Sequence, residues 1–141
     1  MRRALKYVVG IVLALVVGFG GLAGWIWWEI SKPYTPRDAV DAHVRQETRI
    51  FGSRVDLVPT VFQRGQGKSE IISWFDNAGY TQMKGSNIWD NHGMEFRSGS
   101  VMFSRSVSTF ACNLHIYAFL HFDNEDRLDS ASATLEERGC L

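Results

Sequence analysis

Hydrophobic positions follow three different patterns along this chain. The first is unbroken: Tyr7 to Trp28 gives 22 residues without a charge. As a helix rising 1.5 Å per residue it would be about 33 Å long, enough to cross a hydrocarbon core of about 30 Å. A cleavable signal peptide has a shorter apolar region ending in an A-x-A-like site. Gly21-Leu22-Ala23 is a poor cleavage site, and no cysteine follows that could carry a lipid. A pilin-type start is set aside because no acid lies between Met1 and Trp28. The sequence therefore predicts a retained transmembrane helix over 7–28, in contact with the lipid bilayer. Arg2, Arg3 and Lys6 precede it, and the positive-inside rule makes 1–6 a cytoplasmic tail. Trp25, Trp27 and Trp28 fall at the far interface. For a bacterial chain this means a single-pass inner-membrane protein with its C-terminal domain in the periplasm. Gly10, Ala14 and Gly18 recur every four residues, and Gly20 and Gly24 form one GxxxG. Such spacing predicts packing against a partner helix. The competing explanation is that glycine is common in membrane helices.

The second pattern has helical period. Thr35 reads as an N-cap with Pro36 at the first helical position and Asp38 three residues on. Ala39, Val40, His43, Val44, Ile50 and Phe51 are loosely amphipathic, predicting a helix over 36–51 that Gly52 stops. Residues 29–52 form the juxtamembrane linker and helix. A further helix is predicted over 68–78, with Ile71, Ile72, Phe75 and Ala78 on one side and Gly79 at its end.

The third pattern alternates. Val55 to Phe62 alternates in part, but Pro59 demotes it to an edge or connecting segment. Tyr80 to Met83 reads as a short strand, and 84–95 as a loop holding Trp89, read more readily as core than as an exposed contact. Val101 to Val107 is a strand. Ala111 to Phe122 is the clearest one: Leu114, Ile116, Ala118, Leu120 and Phe122 fall on one face, and Asn113, His115, Tyr117, Phe119 and His121 on the other. Asp123 to Asp126 is a polar turn, after which 127–135 returns as the partner strand. The fold class is thus α+β: an N-terminal transmembrane helix, then a domain over 53–141 in which two helices pack on a three- to four-stranded antiparallel sheet.

Charge changes this picture little. The chain has 15 basic and 15 acidic residues; without Arg2, Arg3 and Lys6 the part from Glu29 onward keeps 12 against 15, a net of −3. A mildly acidic domain argues against a nucleic-acid partner. The hydrophobic share of 45% excludes a disordered chain.

Cys112 and Cys140 are the only cysteines. An even count in an oxidising compartment predicts one disulfide, rather than metal ligation or two free thiols. The loop-entropy account assigns such a bridge an upper figure of about 3.6 kcal/mol. Metal binding is not expected: His115 and His121 share a face but stand about 20 Å apart along a strand. His92 has Asp90 and Glu95 near it only in sequence. The chain contains no G-x-S-x-G, H-E-x-x-H or G-x-G-x-x-G. Arg64-Gly65-Gln66-Gly67-Lys68-Ser69 ends like a P-loop but has Phe62 where the first glycine belongs. No cofactor is expected and the chain reads as no enzyme.

Gly67-Lys68-Ser69-Glu70-Ile71-Ile72-Ser73-Trp74-Phe75-Asp76-Asn77-Ala78-Gly79-Tyr80 resembles the helical entry of small bacterial envelope domains. Phe122-Asp123-Asn124-Glu125-Asp126-Arg127-Leu128 resembles their hairpin. Together, over 60–135, the chain is similar to domains of the BamE-like (SmpA/OmlA) type, with a membrane helix in place of the lipidated cysteine. The resemblance implies a scaffold or binding module in envelope assembly or maintenance, with no catalytic residues. Two alternatives stand beside it: an accessory subunit of an inner-membrane complex, and an immunity protein against a periplasmic toxin. For a protein-binding module, His115, Tyr117, Phe119 and His121 are the candidate contact residues. They qualify because a sheet with helices on one side leaves its second face to water or a partner. The alternative is that the 84–95 loop or the 36–51 helix folds across them.

Overall fold

The computed structural model describes residues 2–31, 35–48, 51–84, 93, 95–107 and 112–140. It divides into two compact units, Met1–Tyr34 and Thr35–Leu141.

The first unit is one helix, α1 (Arg2–Ser31). Among the described residues no helix is long and apolar enough to cross a membrane. The expected span over 7–28, its bilayer contact and the single-pass inner-membrane placement with a periplasmic domain are therefore corrected.

The second unit holds α2 (Ala39–Glu47), α3 (Lys68–Asn77) and five strands: β1 (Arg54–Asp56), β2 (Thr81–Met83), β3 (Ser100–Ser106), β4 (Cys112–Phe122) and β5 (Leu128–Cys140). They form one antiparallel sheet in the order β1-β5-β4-β3-β2. The sheet thus has one strand more than the three or four expected. The addition is β1, which ends at Asp56 before Pro59 can interrupt its pairing with Ser132–Thr134. Strand β5 also runs past the expected 135, because its tail keeps pairing with β4 as far as Cys112↔Cys140.

Helix α3 lies where the period of apolar residues puts it, and Gly79 closes it at φ 77°. Helix α2 is shorter than the predicted 36–51. Its N-cap is Asp38, not Thr35: Asp38 is extended, and its Oδ1 accepts the Asp41 N–H at 3.0 Å. The β4–β5 turn is tied by Asp123, whose Oδ1 accepts the N–H groups of Glu125 and Arg127, each at 2.9 Å. At Gly99 a Cβ would meet the Phe122 carbonyl oxygen at 2.5 Å, so only glycine fits beside the end of β4. Most of the 84–95 loop, Trp89 and His92 included, lies outside the described residues.

The main core lies between the helices and one face of the sheet. Val40 and Val44 of α2 and Ile71 and Phe75 of α3 cover Phe103, Ile116, Ala118, Leu120, Ala133 and Leu135. Phe75 stacks on Phe103 with ring centroids 4.5 Å apart. A buried charged residue, Arg105, belongs to this face. Arg105 follows Val101 and Phe103 in the β3 row and is 8% exposed. It pairs with Asp38, approaches the Asp41 Oδ2 at 3.5 Å through Nη2, and donates from Nη1 to the Ala78 carbonyl at 2.8 Å. Its guanidinium lies 4.3 Å from the Tyr80 ring centroid. Burial, then the Asp38 charge, pushes the Tyr80 phenol well above its usual range, and Arg105 opposes that shift. This cluster docks the start of α2 against β3 and the end of α3. Such buried pairs add little net stability but are costly to break.

Candidate binding cleft

Alternation along the strands sends Arg54 and Asp56, Ser130, Ser132 and Thr134, His115, Tyr117, Phe119 and His121, and Ser100 and Met102 to the second face of the sheet. This face is not uniform. Its centre is apolar and closed: Met102, Tyr117 and Phe119 are 1%, 7% and 0% exposed, with Met83 packed against them. Tyr117 and Phe119, two of the expected contact residues, are thus buried, while α2 packs on the opposite face of the sheet. Tyr117 is held further by Arg138, whose Nη2 donates to its hydroxyl at 2.8 Å. His115 stacks on Tyr117 with centroids 6.1 Å apart.

Toward the β1 edge the same face opens into a polar cleft of about 380 Å³, walled by Arg54, Asp56, Glu95, Arg97, His121 and Ser132. Only His121 of these stood among the predicted contact residues. The register explains the meeting: Asp56 pairs with Ser132, and His121 with Ser130 and Ser100. Residues 95–97 come beside them just before β3.

The charges divide into two kinds. Glu95 and Arg97 neutralise each other, with Arg97 Nε donating to the Glu95 carboxylate at 3.0 Å. That bond holds the Glu95 carboxyl below its usual range and Arg97 above its own. Arg54 and Asp56 stand two positions apart on one exposed strand face, about 7 Å from Cα to Cα. Among the described residues neither has an ion-pair partner; Arg54 reaches only the Gly93 carbonyl, at 3.4 Å. The outward carbonyl of Asp56 is already occupied, 3.0 Å from His43 Nε2 of α2.

Ser100 Oγ lies 2.8 Å from His121 Nδ1 and also accepts the Arg97 N–H at 3.0 Å. Burial lowers the His121 pKa, and the Arg97 charge lowers it further. The serine oxygen is held from two sides at the start of β3 and links that strand to β4.

The remaining predicted residues fall elsewhere. Cys112 and Cys140 form the expected disulfide across β4 and β5, with Cα atoms 4.1 Å apart. Gly18, Gly20 and Gly24 lie on α1, and nothing stands within 4 Å of a Cβ built on any of them. Gly10 and Ala14 lie on the same helix, where side-chain surroundings are outside the described residues. Among the described residues no group of three or more His, Cys, Asp or Glu side chains is placed to hold a metal ion.

Sequence reasoning missed Arg54, Asp56, Arg97, Ser130 and Ser132. The one available signal was the polar–apolar–polar triplet Arg54-Val55-Asp56, a short half-buried strand with opposite charges on its outer side. Compared with known proteins, the chain matches no protein-family model, no curated protein and no solved structure.

Proposed function

We propose that residues 35–141 act as a non-catalytic protein-binding or scaffold module whose contact surface is the charged cleft beside β1. The observation that carries this reading is the pair Arg54 and Asp56, exposed, opposite in sign and unpaired among the described residues. Charges arranged in this way guide partner choice and encounter rate more than they add affinity. Affinity then comes from neighbouring apolar area. Phe96, between Glu95 and Arg97 in the chain, is 50% exposed, and Phe51, three residues before Arg54, is 53% exposed. Aromatic residues are enriched in interface cores. The resemblance of 60–135 to BamE-like domains supports the same class of function.

The test is crosslinking in the native cells followed by affinity capture of the full chain. A partner held by the wild type should fall at least tenfold in yield with the double variant Arg54→Ala/Arg97→Ala, with an unchanged near-ultraviolet circular dichroism spectrum. Equal capture by both proteins would refute the cleft as the contact surface. Capture of nothing specific by the wild type would refute the function.

A further inference from the structure

From the geometry of the cleft we infer, resting on that protein-binding reading, the chemistry of the partner: an extended segment carrying one cationic and one anionic side chain two positions apart, seated over Arg54 and Asp56. Three observations lead there. The Glu95–Arg97 pair is internally neutralised, and the serines carry no charge, so sign selectivity rests on Arg54 and Asp56. A partner of a single sign meets one attraction and one repulsion at these positions. A mixed pair meets two attractions. The spacing selects a polypeptide strand, because side chains at i and i+2 of an extended chain are also about 7 Å apart on one face. The two charges of a free α-amino acid are separated by a single carbon and do not match that span. Finally, the segment is recognised through side chains and does not extend the sheet at Asp56. The carbonyl that a pairing strand would need there is taken by His43, which closes the edge much as natural proteins protect edge strands.

The experiment uses the full chain in a neutral detergent and labelled, cyclised β-hairpin peptides at low ionic strength, read by fluorescence anisotropy. The peptides differ only at two outward positions on one strand: Lys-Thr-Asp, Lys-Thr-Lys or Asp-Thr-Asp. The wild type should bind the mixed peptide about fivefold more tightly than either single-sign peptide, the scale of two exposed ion pairs, and raised salt should erase the difference. Arg54→Glu should shift the preference to Lys-Thr-Lys, and Asp56→Arg should shift it to Asp-Thr-Asp. Both sites are exposed, and an unchanged circular dichroism spectrum identifies variants that have folded.

One ranking of the peptides for all three proteins would overturn the inference. So would binding of none of them, or displacement of the mixed peptide by free lysine or glutamate at equal concentration. If the native partner is lost in the Arg54→Ala/Arg97→Ala capture while the peptides are not discriminated, the partner chemistry is wrong and the protein-binding function stands. If no native partner is captured at all, the function itself fails.

Discussion

The two faces of the sheet are built from the same strands and the same alternation, yet they end in different physical states. The face under α2 and α3 is closed by helices and filled with interlocking apolar side chains, Phe75 on Phe103 at its centre. The second face has a small closed centre around Phe119 and then opens into charge at the β1 edge. Phe103 and Phe119 are both 0% exposed although they point to opposite sides. Alternation therefore assigns side chains to faces and leaves undecided which faces meet water. Packing and exposed charge therefore sit at different places on one face: Phe119 and Tyr117 are buried, while Arg54 and Asp56 are exposed.

The strongest way to break this comparison is to truncate one aromatic on each face. Phe103→Ala and Phe119→Ala should each cost about 3–5 kcal/mol, the range for a buried aromatic, measured by denaturant unfolding. An unchanged stability for Phe119→Ala would mean that the second face is open in solution.

Next in size is the buried Arg105 on the helix face. Arg105→Met keeps the volume and leaves the buried Asp38 carboxylate without its cation, while Asp41 keeps Arg45 at 2.8 Å. A loss of about 3 kcal/mol is expected, near the lower bound for an orphaned buried charge. Adding Asp38→Asn, which keeps an N-cap acceptor without the charge, should recover part of the loss. If Arg105→Met is neutral by itself, the cluster is not what docks α2.

The smallest effect sharpens the comparison at the cleft wall. Burial and Arg97 depress the His121 pKa in the folded protein below the ordinary 6.5. The unfolded chain then binds the proton more tightly, so His121 contributes stability that is present above pH 6.5 and is lost as pH falls through its folded pKa. Thermal unfolding from pH 7.5 down to 5 should show a steeper fall in Tm for the wild type than for His121→Asn. Parallel curves would show that His121 titrates as it would in water.

What could be read in advance was local. The apolar period of 68–78 and Gly79 suffice for α3, since a helix turns one stripe inward and ends where a residue tolerates positive φ. Asp123 and the alternation on both sides of it predict the β4–β5 hairpin, and the even count of two cysteines predicts their bridge. Asp38 shows the limit of such signals: Thr35-Pro36 is as good an N-cap on paper, and the ionic contact with Arg105 favours Asp38 instead. The reading of 7–28 as a span is corrected, since among the described residues no helix is long and apolar enough to cross a membrane.

By itself the sequence determined which residues share a strand face or a helix stripe, because backbone periodicity decides that within a few residues. Only the tertiary structure decided that β1 joins the sheet beside β5, bringing Arg54 and Asp56 to Ser132, and that residues 95–97 bring Arg97 to His121. It also decided that Tyr117 and Phe119 are covered while their neighbours two strands away are not. These arrangements depend on strand order and on chain segments far apart in sequence. No local pattern of polar and apolar residues encodes the free energy that selects one order over another.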